Sequence, residues 1–123
     1  MSRGNITECE LLVLKVIWES DKELTLPEII SAVNTKFDKA WKPQTVSTFL
    51  SRLVHKNYLT MRRDGRNFMY GATMESNQFG SKVLSDFVDF WLDKNAAQLI
   101  PYLELTRKLT ASEKEELRTY LLR

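Results

Sequence analysis

Between residues 42 and 56 the chain reads Lys-Pro-Gln-Thr-Val-Ser-Thr-Phe-Leu-Ser-Arg-Leu-Val-His-Lys, a stretch rich in side chains that can hydrogen-bond a partner. If Val46 marks the middle of a buried helix face, turning about 100° per residue sends Gln44, Ser47, Thr48, Ser51 and His55 outward. Thr45 and Arg52 then lie on one flank. Serine and threonine are poor helix formers, so a face selected only for stability would carry Ala, Glu, Lys, Gln or Arg instead. Small hydroxyl and amide groups let a helix come close to a major groove, bond base edges and touch thymine methyls. Gln44, Thr45, Ser47, Thr48 and Ser51 are the base-reading candidates, and Lys42, Arg52, His55 and Lys56 are placed to reach phosphates. Taken alone, the same face is equally compatible with a solvated surface.

The charge distribution favours a polyanionic partner. Residues 1–73 carry 11 Lys/Arg against 8 Asp/Glu, a net +3, whereas residues 74–123 carry 7 against 8, a net −1. Within 42–66, Lys42, Arg52, Lys56, Arg62, Arg63 and Arg66 face Asp64 alone, a net +5. After Lys56 the hydrophobic period changes from helical to alternating, and Asp64-Gly65 sits between two alternating runs, the signature of a hairpin. A two-residue turn at Asp64-Gly65 would pair Met61 with Phe68 and Leu59 with Tyr70 on the inner face, and would set Arg63 opposite Arg66. Like charges facing each other across strands are destabilising, so Arg62, Arg63 and Arg66 are expected to meet phosphates. The competing reading is that they keep an exposed edge from pairing with another sheet.

Catalysis finds little support. Cys9 falls in an apolar helix, where burial is its expected fate, and His55 is the only histidine. Asp86, Asp89 and Asp93 recur at helical spacing without a basic or ligating partner nearby in sequence and read as a solvated stripe. A Gly-rich phosphate loop and a G-x-S-x-G elbow are both missing, and one cysteine with one histidine leaves little for a soft-ligand metal cage. No enzyme, metal or cofactor is expected.

These groups need elements to hold them. Thr7-Glu8-Cys9-Glu10, Thr25-Leu26-Pro27-Glu28 and Thr110-Ala111-Ser112-Glu113 fit capping boxes that open three helices. Leu12, Val13, Val16 and Ile17 form one stripe of the first, with Leu11, Leu14 and Trp18 beside it; Leu26, Ile29, Ile30, Val33 and Phe37 form the stripe of the second. Pro43 restarts a helix that runs to about Lys56 with Val46, Phe49, Leu50 and Leu53 inward. Leu24-Thr25 offers a short third strand beside the hairpin. The fold class is mainly α with a small β-hairpin: a winged helix-turn-helix over residues 1–73 and a C-terminal helical region over 74–123. In that region Phe79, Val83, Phe87, Trp91, Leu99, Ile100, Leu103, Leu117, Tyr120 and Leu121 need a covering surface, which a second copy would supply. With 43% hydrophobic and 28% charged residues over 123 positions, the composition is that of one ordinary soluble domain with an appended segment. No apolar run approaches the roughly 18 residues that span a bilayer. Met1-Ser2-Arg3-Gly4-Asn5 leads into an amphipathic segment rather than a signal peptide's apolar core. A cytoplasmic protein without membrane insertion is expected.

The run Trp41-Lys42-Pro43-Gln44-Thr45-Val46-Ser47-Thr48-Phe49-Leu50-Ser51-Arg52-Leu53 resembles the BlaI/MecI penicillinase-repressor family. So do Glu10-x-x-Val13 with Val16-Ile17-Trp18, Asn67-Phe68-Met69-Tyr70, and the closing Leu109-Thr110-x-x-Glu113-x-x-Glu116-Leu117. The resemblance covers almost the whole chain. It implies an N-terminal winged helix, a C-terminal dimerisation region, and a homodimer that binds palindromic double-stranded operator DNA to block transcription of β-lactam resistance genes. It implies DNA contacts from Gln44, Thr45, Ser47, Thr48 and Arg52, although an arginine stands at the Ser47 position in the best-known members. It also implies release by C-terminal cleavage, prompted by a membrane sensor-transducer with a metalloprotease domain; the family's cleavage pair aligns with Tyr102-Leu103. The related copper-responsive repressors carry a cysteine-rich tail, and this chain has no cysteine after Cys9. Two other functions stay open on the residues: a regulator that releases DNA on binding a small ligand at its C-terminal aromatic stripe, and a winged helix used for protein interaction.

Overall fold

The computed structural model describes residues 5–123; residues 1–4, on which the expectation about a signal peptide partly rests, lie outside the described residues. The element order is α1 (Glu8–Trp18), β1 (Leu24–Thr25), α2 (Leu26–Phe37), α3 (Pro43–His55), β2 (Leu59–Asp64), β3 (Asn67–Ala72), α4 (Ser76–Trp91), a single 3-10 turn (Ala96–Gln98), α5 (Leu99–Leu103) and α6 (Ala111–Leu121). The three expected capping boxes are all formed, at Thr7 with Glu10, Thr25 with Glu28 and Thr110 with Glu113. In each, the threonine oxygen and the glutamate carboxylate satisfy amides that the first helical turn leaves without a partner. The cap bonds hold the Glu28 carboxyl below the usual glutamate range, because they favour its charged form.

The chain divides into two compact units, one ending at Val83 and the other running Leu84–Arg123. In the first, α1, α2 and α3 enclose a core of Val13, Leu14, Val16, Ile17, Ile29, Val33, Val46, Leu50 and Leu53, closed by Leu24, Leu59 and Tyr70 from the sheet. The sheet is antiparallel in the order β1-β3-β2, with Leu24 opposite Tyr70 and Thr25 opposite Met69. Three helices and a three-stranded wing make a winged helix-turn-helix.

The hairpin register differs from the expected one. Met61 faces Tyr70 rather than Phe68, Leu59 faces Ala72 rather than Tyr70, and Asp64 faces Asn67, so the turn is Gly65-Arg66. Gly65 has φ +64° whereas Asp64 keeps a negative φ. An Asp64-Gly65 turn of the common I′ type would require both central residues at positive φ; with glycine first, only the glycine needs it. Arg63 therefore faces Phe68, and no pair of like charges sits across the strands. The shift is two residues in pairing, so each side chain stays on its expected face of the hairpin.

Cys9 also departs from expectation, since it is exposed. The inward face of α1 runs through Glu10, Val13, Leu14 and Ile17, with the carboxylate of Glu10 in the position a hydrophobic ranking would give to the cysteine.

The compact units divide within α4, and not where the strand pattern ends near residue 73. Trp18 donates from Nε1 to the Met74 carbonyl at 2.9 Å, and Thr73 donates from its hydroxyl to the Asn57 carbonyl at 2.8 Å. The Phe79 ring lies 5.5 Å from Trp18 and 6.0 Å from Tyr58, centroid to centroid. Phe79, assigned from sequence to a dimer interface, is thus occupied inside its own winged helix.

In the second unit the last turns of α4 end where Asp93 (φ 50°) and Lys94 (φ 66°) both adopt the left-handed conformation. Phe87 packs edge-on to Tyr102 at 5.7 Å and Phe90 edge-on to Trp91 at 4.9 Å. Val88 and Leu92 are its buried hydrophobic residues, while Leu84, Phe90, Trp91, Leu105, Tyr120, Leu121 and Leu122 are exposed. Among the described residues no helix is long and apolar enough to cross a membrane.

Candidate nucleic-acid interface

The position of α3 is set by the turn before it. Asp38 ends α2 at φ 53°, and the Lys39 amide bonds the Asn34 carbonyl at 3.1 Å. The Asn34 side chain then clasps Trp41 twice, donating from Nδ2 to its carbonyl and accepting its amide through Oδ1, both at 3.0 Å. Trp41 lies edge-on to Phe49 of α3 at 5.1 Å. Asn34→Ala removes both side-chain bonds, each worth about 1 kcal/mol net. A fall of about 2 kcal/mol in urea-denaturation stability is expected, and a loss below 0.5 kcal/mol would show that the turn does not depend on this clasp.

Val46, Leu50 and Leu53 of α3 are fully buried, which leaves Gln44, Thr45, Ser47, Thr48, Ser51, Arg52 and His55 exposed on one side of the helix. The Thr48 hydroxyl donates to the Gln44 carbonyl at 2.9 Å. Its proton is thereby used, and its oxygen can only accept, which suits an adenine or cytosine amino group. Unlike α1, α2 and α6, α3 has no capping side chain: Lys42 occupies the cap position and bonds nothing in the first turn with its side chain. Pro43 has no amide hydrogen, and the first-turn N–H groups of Gln44 and Thr45 are left without an intrahelical acceptor at the end of α3 that Lys42 precedes, an arrangement suited to a phosphate.

The expected phosphate-binding side chains separate into three sets. Lys42, Arg52, His55 and Arg66 form no side-chain hydrogen bond or ion pair among the described residues. Arg63 lies with its guanidinium carbon 5.5 Å from the Phe68 ring centre and donates from Nε to the Gly65 carbonyl at 3.2 Å. Lys56 and Arg62 are otherwise engaged. The Lys56 ammonium donates to the fully buried Glu10 carboxylate and to the Asn5 carbonyl, both at 2.7 Å. Arg62 grips Glu23 through Nε at 2.7 Å and Nη2 at 2.6 Å. The sequence assigned both to phosphates because their partners lie 46 and 39 residues away. The Arg62 pair is exposed, where such bridges contribute little and can exchange for a phosphate; the Lys56 pair is structural.

Between α3 and the wing runs a groove of about 650 Å³, lined by Ser47, Ser51 and His55 on one side and Met61, Arg66 and Phe68 on the other. Sequence reasoning missed Met61 and Phe68 as part of the site because it set them on an inner face and so inside. Among the described residues no group of three or more His, Cys, Asp or Glu is placed to hold a metal ion.

A family model described as "Penicillinase repressor" matches residues 6–123. The chain belongs to the penicillinase repressor family. It is 26% identical to the methicillin resistance regulatory protein MecI of Staphylococcus aureus over 116 residues, 94% of this chain and 92% of MecI. It is 31% identical to the penicillinase repressor of Bacillus licheniformis over 74 residues, a match spanning 60% of this chain and only 56% of that protein. Among solved structures, the DNA-binding domain of the repressor BlaI superposes with a TM-score of 0.53 at 31% identity, covering 61% of this chain and 88% of that domain. The monomeric form of Bacillus licheniformis BlaI, in complex with the blaP half-operator, superposes with a TM-score of 0.50 at 30% identity, covering 62% and 89%. As a member of the penicillinase repressor family the protein is a winged-helix repressor of the BlaI/MecI type, a regulator rather than an enzyme.

Proposed function

We propose that this chain acts in the cytoplasm as a homodimer that binds palindromic operator DNA and represses β-lactam resistance genes, with α3 of each subunit in a major groove. The observation that carries this reading is the uncapped, hydroxyl-lined outer face of α3, exposed between Lys42, Arg52 and Arg66, cations without an ion pair among the described residues. The half-operator complex of the similar BlaI domain supports it. Gln44, Thr45, Ser47, Thr48 and Ser51 read bases, while Lys42, Arg52, Arg63 and Arg66 neutralise phosphates and His55 offers a ring N–H to one. The second subunit is recruited through the exposed apolar side chains of the second unit, among them Trp91, Leu103, Tyr120 and Leu121.

Release follows cleavage of the Tyr102–Leu103 bond by a membrane sensor-transducer metalloprotease. Both side chains are accessible, and α5, at five residues, is too short to hold its helix by itself, so the segment can be drawn into the extended form a protease cuts. Cleavage would separate Leu117, Tyr120 and Leu121 from the winged helix.

Binding measured on a random duplex and on a site selected from a random pool, each between 50 and 200 mM salt, tests the reading. Arg52→Ala is expected to weaken binding to both duplexes and to reduce the salt slope by about 1. Thr45→Ala is expected to lower preference for the selected site by roughly fivefold, about 1 kcal/mol, with the slope intact. An equal loss of preference from both substitutions would contradict this division between phosphate and base contacts. Absence of salt-dependent duplex binding would leave a protein-interaction module.

A further inference from the structure

The groove between α3 and the wing has one polar wall and one apolar wall, and base reading with phosphate neutralisation uses only the first. Met61 and Phe68 are 47% and 42% exposed. They share a hairpin face with the buried Leu59 and Tyr70, yet they reach beyond the core and line the groove opposite Ser47 and Ser51. No acidic residue lines this groove, Arg66 stands at its edge, and Arg63 is held against the Phe68 ring. An aromatic ring and a thioether kept half in water are unfavourable unless something covers them.

The surrounding charge identifies the cover as an anionic chain. With α3 in a major groove, the groove between helix and wing offers a path to the strand that borders the neighbouring minor groove. That strand presents phosphates, which the arginines meet, and the C–H faces of its sugars, which a polar wall cannot use. We propose that Phe68, assisted by Met61, is an apolar rest for a deoxyribose of that strand, supplying salt-independent affinity and selecting deoxyribose over ribose. A ribose 2′-hydroxyl pressed onto the ring would lose its water without gaining a partner. The inference rests on the operator-binding reading above.

The test measures affinity of the full-length protein and its variants for the selected duplex across the same salt range. Phe68→Ala is expected to weaken binding roughly tenfold at every salt concentration, from the apolar area it no longer covers, with the slope unchanged. Phe68→Gln should do the same, and Phe68→Leu should stay within about threefold of wild type. Arg66→Ala should instead lower the slope by about 1. Melting curves establish that each variant folds; should the alanine variant not fold, the glutamine and leucine variants decide alone. Unchanged affinity, an equal loss with leucine, or a fall in slope with Phe68→Ala would each overturn the proposal, the last because the ring would then serve only to place Arg63. Wild-type protein that fails to bind duplex would defeat the operator reading itself, whereas normal wild-type binding with an indifferent Phe68→Ala defeats this inference alone.

Discussion

Lys56→Met is expected to destabilise the winged helix by about 3–5 kcal/mol, a large part of the 5–15 kcal/mol that holds a typical domain folded. The Glu10 carboxylate is fully buried, and its Oε2 has no hydrogen-bond partner among the described residues. Its Oε1 accepts the Lys56 ammonium at 2.7 Å and the Thr7 amide at 2.9 Å. Methionine fills the lysine's volume but leaves a carboxylate without a counter-charge in the interior. Glu10→Gln in the same chain should recover much of the loss, because an amide can still cap Thr7 and no charge is stranded. The cycle of single and double variants isolates the pair.

Acid provides an independent readout. Burial pushes the Glu10 carboxyl up, but the Lys56 hydrogen bond, the Thr7 bonds and the Lys56 charge together outweigh it, so its pKa lies below the usual glutamate range. A folded-state value below the unfolded one means that the stabilisation is complete above the unfolded value and is lost as pH falls through the folded one. In Lys56→Met, burial acts with less opposition and Glu10 takes up a proton more readily. The stability gap between wild type and variant should therefore narrow from pH 7 towards pH 4. Urea denaturation followed by tryptophan fluorescence measures it, and a gap below 1 kcal/mol at pH 7, or one independent of pH, would show that the carboxylate is hydrated. Loss of DNA binding by Lys56 variants then reports unfolding, not a missing phosphate contact.

That pair also marks where sequence reasoning stops. Features encoded within a few residues were legible: the three Thr/Glu boxes, the stripe that turns Val46, Leu50 and Leu53 inward, and the hydroxyl face this leaves outside. Pairings across the chain were not. Nothing near Lys56 names Glu10, and nothing near Arg62 names Glu23. One signal was present, however: Glu10 stands at the head of the Val13, Leu14, Ile17 stripe, where a charge demands a buried partner. The same residue explains why Cys9 is outside. Asp64-Gly65 was ambiguous for a different reason, since the dipeptide fits a turn with glycine second or a turn with glycine first, and only the backbone angle of Asp64 separates them. The stripe of α4 looks continuous in sequence, yet Phe79 answers to Trp18 and Tyr58 whereas Phe87 answers to Tyr102, a division made by tertiary contacts.

Leu121→Asp is expected to produce a monomer and to lower affinity for a two-half-site operator by about 10²–10⁴-fold, with little change for a single half-site. Leu121 is 81% exposed in the subunit, so a carboxylate there costs the folded chain little; its cost arises where a second copy would cover it. Tyr120 and Leu122 beside it are also exposed, and α6 borders an apolar groove of about 670 Å³ lined by Ile100, Leu109 and Leu117. Joining two winged helices makes the second half-site contact intramolecular, and that effective concentration supplies the lost factor. With one subunit bound, fewer phosphates are neutralised, so the salt slope should fall towards half. A chain ending at Tyr102 lacks the same residues and should reproduce the monomer, the weak operator binding and the halved slope. Sedimentation and operator binding at matched concentrations check all three. A Leu121→Asp protein that stays dimeric with wild-type operator affinity would place the subunit contact elsewhere, and cleavage at Tyr102–Leu103 would then have no route to release through it.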